Sequence, residues 1–425
     1  MKCNFDMLQY ETVERTVSSP LRLAVIADDM TGALDTGVQF SKRGARTAVI
    51  PAGQLLCPPD IQVAVVNAET RHLPPEAAYV KTRRIAAWAL QAGAGHLYIK
   101  TDSGMRGNIG AALKAALDAS GQSIAAFAPA YPDMNRLTID GCQYIDGVPI
   151  DQSVFGLDPV DPVRYSRVSD IIAWGGLRTI AVPRNGTVSD SAVGPAVWIF
   201  DVQENADFVR IAKLLQLRGA LQVTAGCAAF ASALVPWLDL PVQWPMPIAP
   251  AQEPLLVLCG SLNPITRQQM LYGVHQGMWH MALDSSLLLR ADWRDACRDT
   301  ISAVEQQMRQ GRSVLLDTCG ITNEENARSS FGLIANRMGS LAEYLLSLPQ
   351  AAAYTPMFIG GDTLMGFLSR KNVTNIRIEG EAAPGVVAFQ VTANGRSLRM
   401  LSKSGGFGKE TLLWDMVAPG RIERC

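Results

Sequence analysis

The chain has 425 residues, of which 48% are hydrophobic and 18% charged, and Lys+Arg 38 against Asp+Glu 39 leave a net charge of -1. A single core stops growing at roughly 250–300 residues, so this length predicts two domains. A near-neutral balance removes any electrostatic case for nucleic acid or an anionic membrane surface, and leaves room only for local basic patches suited to a small anion.

Eight cysteines are scattered without a Cys-x-x-Cys pair, which argues against zinc sites and redox dithiols and fits a reducing cytoplasm. His275 and His280 lack the spacing of a zinc-binding helix, so no metal bound by the protein directly is expected. Residues 1–20 contain acidic side chains and no long apolar run, which reads as an N-terminal extension and not a signal peptide. No stretch of about 18 apolar residues is present, so no membrane span is expected.

From Leu21 the dominant rhythm is apolar strand, polar loop, helix. Leu23–Ala27 is a short apolar run, Asp28–Gly32 a polar loop, and Ala33–Arg43 has helical spacing. The pattern recurs with His96–Ile99, a loop over 100–108, and a helix over Ile109–Asp118. Such alternation predicts an α/β fold of two domains, each a largely parallel sheet flanked by helices, with functional loops at the carboxyl ends of strands. Six prolines between 236 and 254 mark an interdomain linker. The first domain is therefore placed at 21–235 and the second at 255–425.

In the first domain, Asp28 and Asp29 are adjacent acids just after a strand. One of them can cap the following helix, as can Thr31, or serve chemistry by accepting a hydroxyl proton. Arg71 follows the apolar run Val63–Val66. The loop Lys100-Thr101-Asp102-Ser103-Gly104-Met105-Arg106 packs Lys, Asp, Ser and Arg into seven residues. Arginine grips a carboxylate through two parallel hydrogen bonds and lysine offers a point charge, so Arg71, Lys100 and Arg106 are candidate anion binders. Residues 128–152 read as an extended loop with a hairpin, in which Arg136 and an Asp146-Gly147 turn stand out.

In the second domain, three strand-ending loops carry glycine: Cys259-Gly260-Ser261-Leu262-Asn263 before a helix opened by Pro264, Ile359-Gly360-Gly361-Asp362-Thr363, and Lys403-Ser404-Gly405-Gly406-Phe407-Gly408-Lys409 before a helical run Glu410–Val417. Together they form a nucleotide-sized set of backbone donors. The last is not a Walker A loop, because Lys403 stands at its first glycine position and Glu410 follows the lysine. A nicotinamide-dependent sugar-acid dehydrogenase is the rival reading, weakened because DDMTG stands where a Gly-x-Gly-x-x-Gly would follow the first strand. A non-enzymatic sugar-acid sensor would need none of these glycine loops.

IADDMTGALDTG, KTDSGMRGNIG, APAYPDMNR, YIDGVPID, CGSLNPITRQQ, FIGGDTLMG and KSGGFG occur in that order, and in this order they resemble the four-carbon acid sugar kinases. The resemblance spans Leu21 to Val417 and is strongest toward the D-threonate kinases, with D-erythronate and 3-oxo-tetronate kinases as alternatives. It implies a sugar-acid-binding N-terminal domain and an ATP-binding C-terminal domain that together phosphorylate the terminal, C4 hydroxyl. It places Ser261, Gly360, Gly361, Asp362, Thr363, Gly405, Gly406 and the same loop's Gly408 at the nucleotide. It places Asp28, Arg71, Lys100, Asp102, Arg106 and the neighbouring Ser103 at the sugar acid, with Asp28, ahead of Asp29, orienting the hydroxyl or taking its proton. Mg²⁺ would arrive with ATP. Gly226-Cys227-Ala228-Ala229-Phe230 replaces a serine-containing run of the family. Small-molecule partners are implied, and homo-oligomerisation is left open.

Overall fold

The computed structural model describes residues 21–158, 161–188, 195–240, 248, 254–318 and 330–417. The extension at 1–20 and most of the proline-rich segment, 241–247 and 249–253, lie outside the described residues.

The first strand, Leu23–Ala27, is buried along its whole length, as a strand covered on both faces must be. It pairs in parallel with Val63–Asn67 on one side and His96–Lys100 on the other. Beyond these lie Thr47–Pro51 at one side and Val223–Gly226, Ile124–Ala128, Ala196–Phe200 and Arg178–Val182 at the other, all parallel. The second half builds a parallel run from Trp279–Ala282, Val314–Asp317, Leu255–Cys259, Thr355–Ile359 and Arg396–Lys403, continued by antiparallel Val386–Ala393 and Val373–Ala383. The expected helices form over Met30–Ser41, Ile109–Ser120, Pro264–His275 and Leu412–Val417.

The two half-sheets join edge to edge. Ile376 pairs with Val49 and Arg377 with Ala48 in an antiparallel register, making one sheet of 15 strands. Arg377 also reaches Asp60 in the first half through two hydrogen bonds of 2.7 and 2.8 Å. The edge pairing leaves neither half with a bare hydrophobic edge there.

The segment after Ile124–Ala128 forms a small antiparallel sheet of Arg136–Ile139, Cys142–Ile145 and Val148–Pro149. Both of its turns are Asp-Gly pairs with positive φ, Asp140-Gly141 and Asp146-Gly147, as a tight hairpin requires. This ribbon carries Arg136 toward the main sheet's carboxyl ends.

No helix among the described residues is long and apolar enough to cross a membrane.

Candidate active site

The first strand turns into its helix through Asp28 and Asp29. Asp29, and not Thr31, caps the helix: its carboxylate accepts from the Gly32 amide at 2.7 Å. Thr31 falls inside the first turn because the helix already begins at Met30. Arg71 binds both acids, meeting Asp28 through Nε (2.8 Å) and Nη2 (3.0 Å) and Asp29 through Nη1 (2.6 Å). Burial pushes the Asp28 carboxyl above its ordinary value, although Arg71 pulls the other way. Arg71 is thus already neutralised by its own neighbours.

Lys100 ends its strand with a buried ammonium that donates to the Thr101 carbonyl at 2.8 Å. It rests on the start of the first helix, where a methyl group on Gly32 would lie 2.8 Å from Nζ. Among the described residues it has no carboxylate ion pair. Arg106 is held between Asp102 (2.6 Å) and Asp158 (3.1 Å). Asp102 is raised by burial, but Arg106, Arg71 and Lys100 overcome this and hold it well below the usual carboxylate range. Glu69 and Met105, in the loops that carry Arg71 and Arg106, both have positive φ, a strained backbone for such residues. Asn108 ties these loops together by donating to the Thr70 and Leu73 carbonyls at 2.8 and 2.7 Å.

Arg136 reaches in from the small sheet and donates to the Ser103 hydroxyl. Its guanidinium lies 5.1 Å from the Phe155 ring centre, and that of Arg106 lies 5.2 Å from the same ring. Burial lowers its pKa, and among the described residues no carboxylate pairs with it. A part-buried guanidinium with no carboxylate paired to it among the described residues is chemically suited to an anionic group.

In the second half, the Lys403–Lys409 loop is shaped from below. Thr266 donates to the Gly405 carbonyl at 2.6 Å, and the Gln269 amide donates to the carbonyls of Phe407, Gly408 and Lys409 at 2.9–3.0 Å. The buried Lys403 ammonium binds Thr266 at 3.1 Å and the Ser404 carbonyl at 2.9 Å, and burial pushes its pKa down to about 8. These carbonyls are tied inward, and the Phe407 amide donates to the Ser404 carbonyl at 3.3 Å. Gly405 packs directly on the Ser261 hydroxyl, whereas a methyl on Gly406 would meet only Asn263 Nδ2, at 3.5 Å.

A cavity of about 400 Å³ lies where the halves meet. The structure brings Asp29, Arg71, Lys100, Asp102, Ser103 and Arg106 to its wall from one side, and Ser261, Gly360, Gly361, Gly405 and Gly406 from the other. Thr31 closes on Gly361, so the starts of the helices Met30–Ser41 and Gly361–Leu368 face each other across the junction. Four expected residues stand elsewhere. Asp28 and Asp362 line an adjoining cavity of about 460 Å³, Gly408 lines another cleft, and Thr363 is 3% exposed with its hydroxyl beneath Gly260. Asp35, Tyr131, Phe155, Asp158, Asn263 and Arg136 also line this cavity, and no local motif assigns them a role. Asp35 carries no local mark, because it sits inside a helix and not in a strand-end loop.

Strand-end loops for a small anion in one half, facing glycine loops and helix starts in the other, define a two-substrate group-transfer enzyme. The comparisons agree. Residues 23–234 match the sugar-binding N-terminal domain family and residues 256–413 the nucleotide-binding C-terminal domain family. The D-threonate kinase of Cupriavidus necator is 30% identical, over 92% of this chain and 96% of its own. That of Salmonella typhimurium is 28% identical, over 93% and 98%. A 3-oxo-tetronate kinase of Methylobacterium radiotolerans is 24% identical, over 91% and 96%. A Salmonella typhimurium LT2 crystal structure shares the fold, with a TM-score of 0.75 at 20% identity over 94% of this chain and 99% of that one. The chain belongs to the four-carbon acid sugar kinase family.

Proposed function

We propose that this enzyme transfers the γ-phosphoryl group of ATP to the C4 hydroxyl of a four-carbon sugar acid, with D-threonate as the first candidate. The observation that carries this reading is the pair of cations without ion-pair partners among the described residues, Lys100 and Arg136, standing opposite the Gly405-Gly406 loop in one cavity. An anionic acid held by the first half presents its far end to a triphosphate held by the second. D-threonate comes first because two D-threonate kinases match over nearly the whole chain.

In this reading Arg136 and Lys100 take the substrate carboxylate, with Ser103 donating beside them. Asp28 and Asp29 hold Arg71 in place, and Asp102 and Asp158 do the same for Arg106, so the two paired arginines form a rigid wall. Ser261, Gly360, Gly361, Gly405 and Gly406 contact the phosphates, while Thr363 and Gly408 shape the loops that carry them. The sugar acid belongs to residues 21–235 and the nucleotide to 255–425. Phosphoryl transfer asks mainly for alignment and charge neutralisation, which such a preorganised site supplies. The contact between Thr31 and Gly361 limits water, the competing acceptor, at the junction.

Mg²⁺ fits as a companion of the triphosphate. Among the described residues no three His, Cys, Asp or Glu side chains cluster as a metal site, and Mg²⁺ ordinarily takes phosphate oxygens, waters and one or two carboxylates. Asp362, which lines the adjoining cavity, would supply one. When bound, the ion neutralises charge on the triphosphate.

The test is ADP release across D-threonate, D-erythronate and 3-oxo-tetronate, with phosphorus NMR of the product. ADP formation that depends on the acid, with a phosphomonoester on the C4 methylene, is expected. No ADP with any of the three acids would overturn the reading.

A further inference from the structure

We propose that Asp35 is the group that accepts the hydroxyl proton of the sugar acid as its oxygen attacks the phosphoryl group. The proposal rests on the kinase reading above and assigns the proton, which that reading leaves without a destination.

Position comes first. Asp35 lies one turn beyond Gly32 on the first helix, so it shares the face on which the Lys100 ammonium rests. Its side chain lines the joint cavity and also a larger cleft of about 690 Å³ that continues from it, with Tyr131, Ala228 and Phe407 common to both. Lys100 of the sugar-acid half and Lys403 of the glycine loop both act on its charge. It therefore stands where the two substrates of the proposed reaction meet.

Availability comes second. The other acids that line this cavity, and Asp28 behind Asp29, are occupied. Both oxygens of Asp28 accept from Arg71, Asp29 caps the helix and binds Arg71, and Asp102 and Asp158 hold Arg106. Among the described residues no hydrogen bond or ion pair engages the Asp35 carboxylate. A base needs free lone pairs, and a carboxylate gripped by a guanidinium has lost its reach.

Basicity comes third. Burial pushes the Asp35 carboxyl up to about 7. Asp29 at the head of its own helix and Glu381 from the second half add to this rise, while Lys100 and Lys403 oppose it. Lys42, at the end of the same helix, is drawn to Glu381 at 3.6 Å. A base with a pKa near the working pH combines availability with driving force.

The step balances. The C4 oxygen forms a bond to the γ-phosphorus, the bond from that phosphorus to the β-bridging oxygen breaks, and ADP leaves with the electron pair. The hydroxyl proton passes to an Asp35 oxygen and then to solvent.

Asp35→Asn keeps the shape and removes the base. With the full chain and the acid that wild type phosphorylates, kcat is expected to fall about 10²–10⁴-fold. Calorimetric Kd values for ATP and for the acid should stay within about threefold by the same account, because the amide fills the same space. Wild-type kcat should rise with pH through about 7, and that limb should vanish in the variant. A variant within about tenfold of wild-type kcat that keeps the limb would overturn the proposal, as would weakened ATP binding with kcat unchanged. If Asp35→Asn does not fold, Asp35→Glu serves. It should keep a limb at a displaced pH with reduced kcat, and an undisplaced limb would assign the titration to another group. If wild type phosphorylates no four-carbon acid, it is the kinase reading that fails, which separates the two outcomes.

Discussion

Arg71 grips Asp28 through two parallel hydrogen bonds, Nε to Oδ2 at 2.8 Å and Nη2 to Oδ1 at 3.0 Å, while its third nitrogen reaches Asp29. Such a fork fixes three side chains at once and leaves Asp28 little freedom to act as a base. Removing the Asp28 charge leaves Arg71 with Asp29 alone, at a cost below the about 3–5 kcal/mol of stranding a fully buried charge.

Asp28→Asn should therefore act through Arg71. We expect KM for the acid to rise about tenfold, equivalent to roughly 1.4 kcal/mol, with a lowered Tm. Steady-state kinetics with each substrate varied, beside thermal denaturation, would check this. A loss confined to kcat would restore Asp28 as the proton acceptor.

Arg136 and Arg106 make a contrasting pair. Arg136 has no carboxylate partner among the described residues, so Arg136→Lys, which loses the fork, should cost about tenfold to a hundredfold in kcat/KM for the acid. The ATP KM should hardly move. Arg106 is clamped between Asp102 and Asp158, and Arg106→Lys should lower Tm as well as activity. Equal effects of the two changes, on both Tm and kinetics, would refute the distinction.

Gly406 offers a clean probe of the nucleotide loop. A Cβ there has room in the protein itself, with Asn263 Nδ2 at 3.5 Å as its nearest neighbour. Gly406→Val should raise the ATP KM about tenfold or more, because the branched side chain occupies the approach to the loop amides, with Tm within about 2 °C of wild type. Gly405→Ala strikes the Ser261 hydroxyl and should lower Tm too. An unchanged ATP KM for Gly406→Val would remove phosphate from this loop.

The Asp35 carboxyl predicts a pH-dependent stability. Its folded pKa of about 7 lies above the ordinary 3.8, so the fold favours its protonated form. The stability linked to that proton is present below about pH 4 and is lost as pH rises through 7. Asp35→Asn carries no such loss. Its Tm relative to wild type should climb between pH 5 and pH 8, reaching at least about 2 °C, since about 1 kcal/mol moves Tm by a few degrees in chains of this size. A constant difference across that range would mean that Asp35 does not titrate there.

The sequence by itself determined the α/β alternation, the strand-end placement of the loops and the order of motifs that marks the family. These are legible because a strand buried on both faces needs a continuous apolar run such as Leu255–Cys259, and because Pro264 fixes the start of its helix within a few residues. Only the tertiary structure decided which charges are spent. Arg71, Lys100 and Arg106 look alike as basic residues near strand ends, yet Arg71 and Arg106 meet carboxylates while Arg136, on a separate ribbon, pairs with none among the described residues. The union of the half-sheets was equally hidden, since Arg377 and Asp60 are 317 positions apart. Asp35 shows the reason most clearly. Local pattern makes it one more polar residue of a helix, and its raised carboxyl arises only from burial in the folded chain.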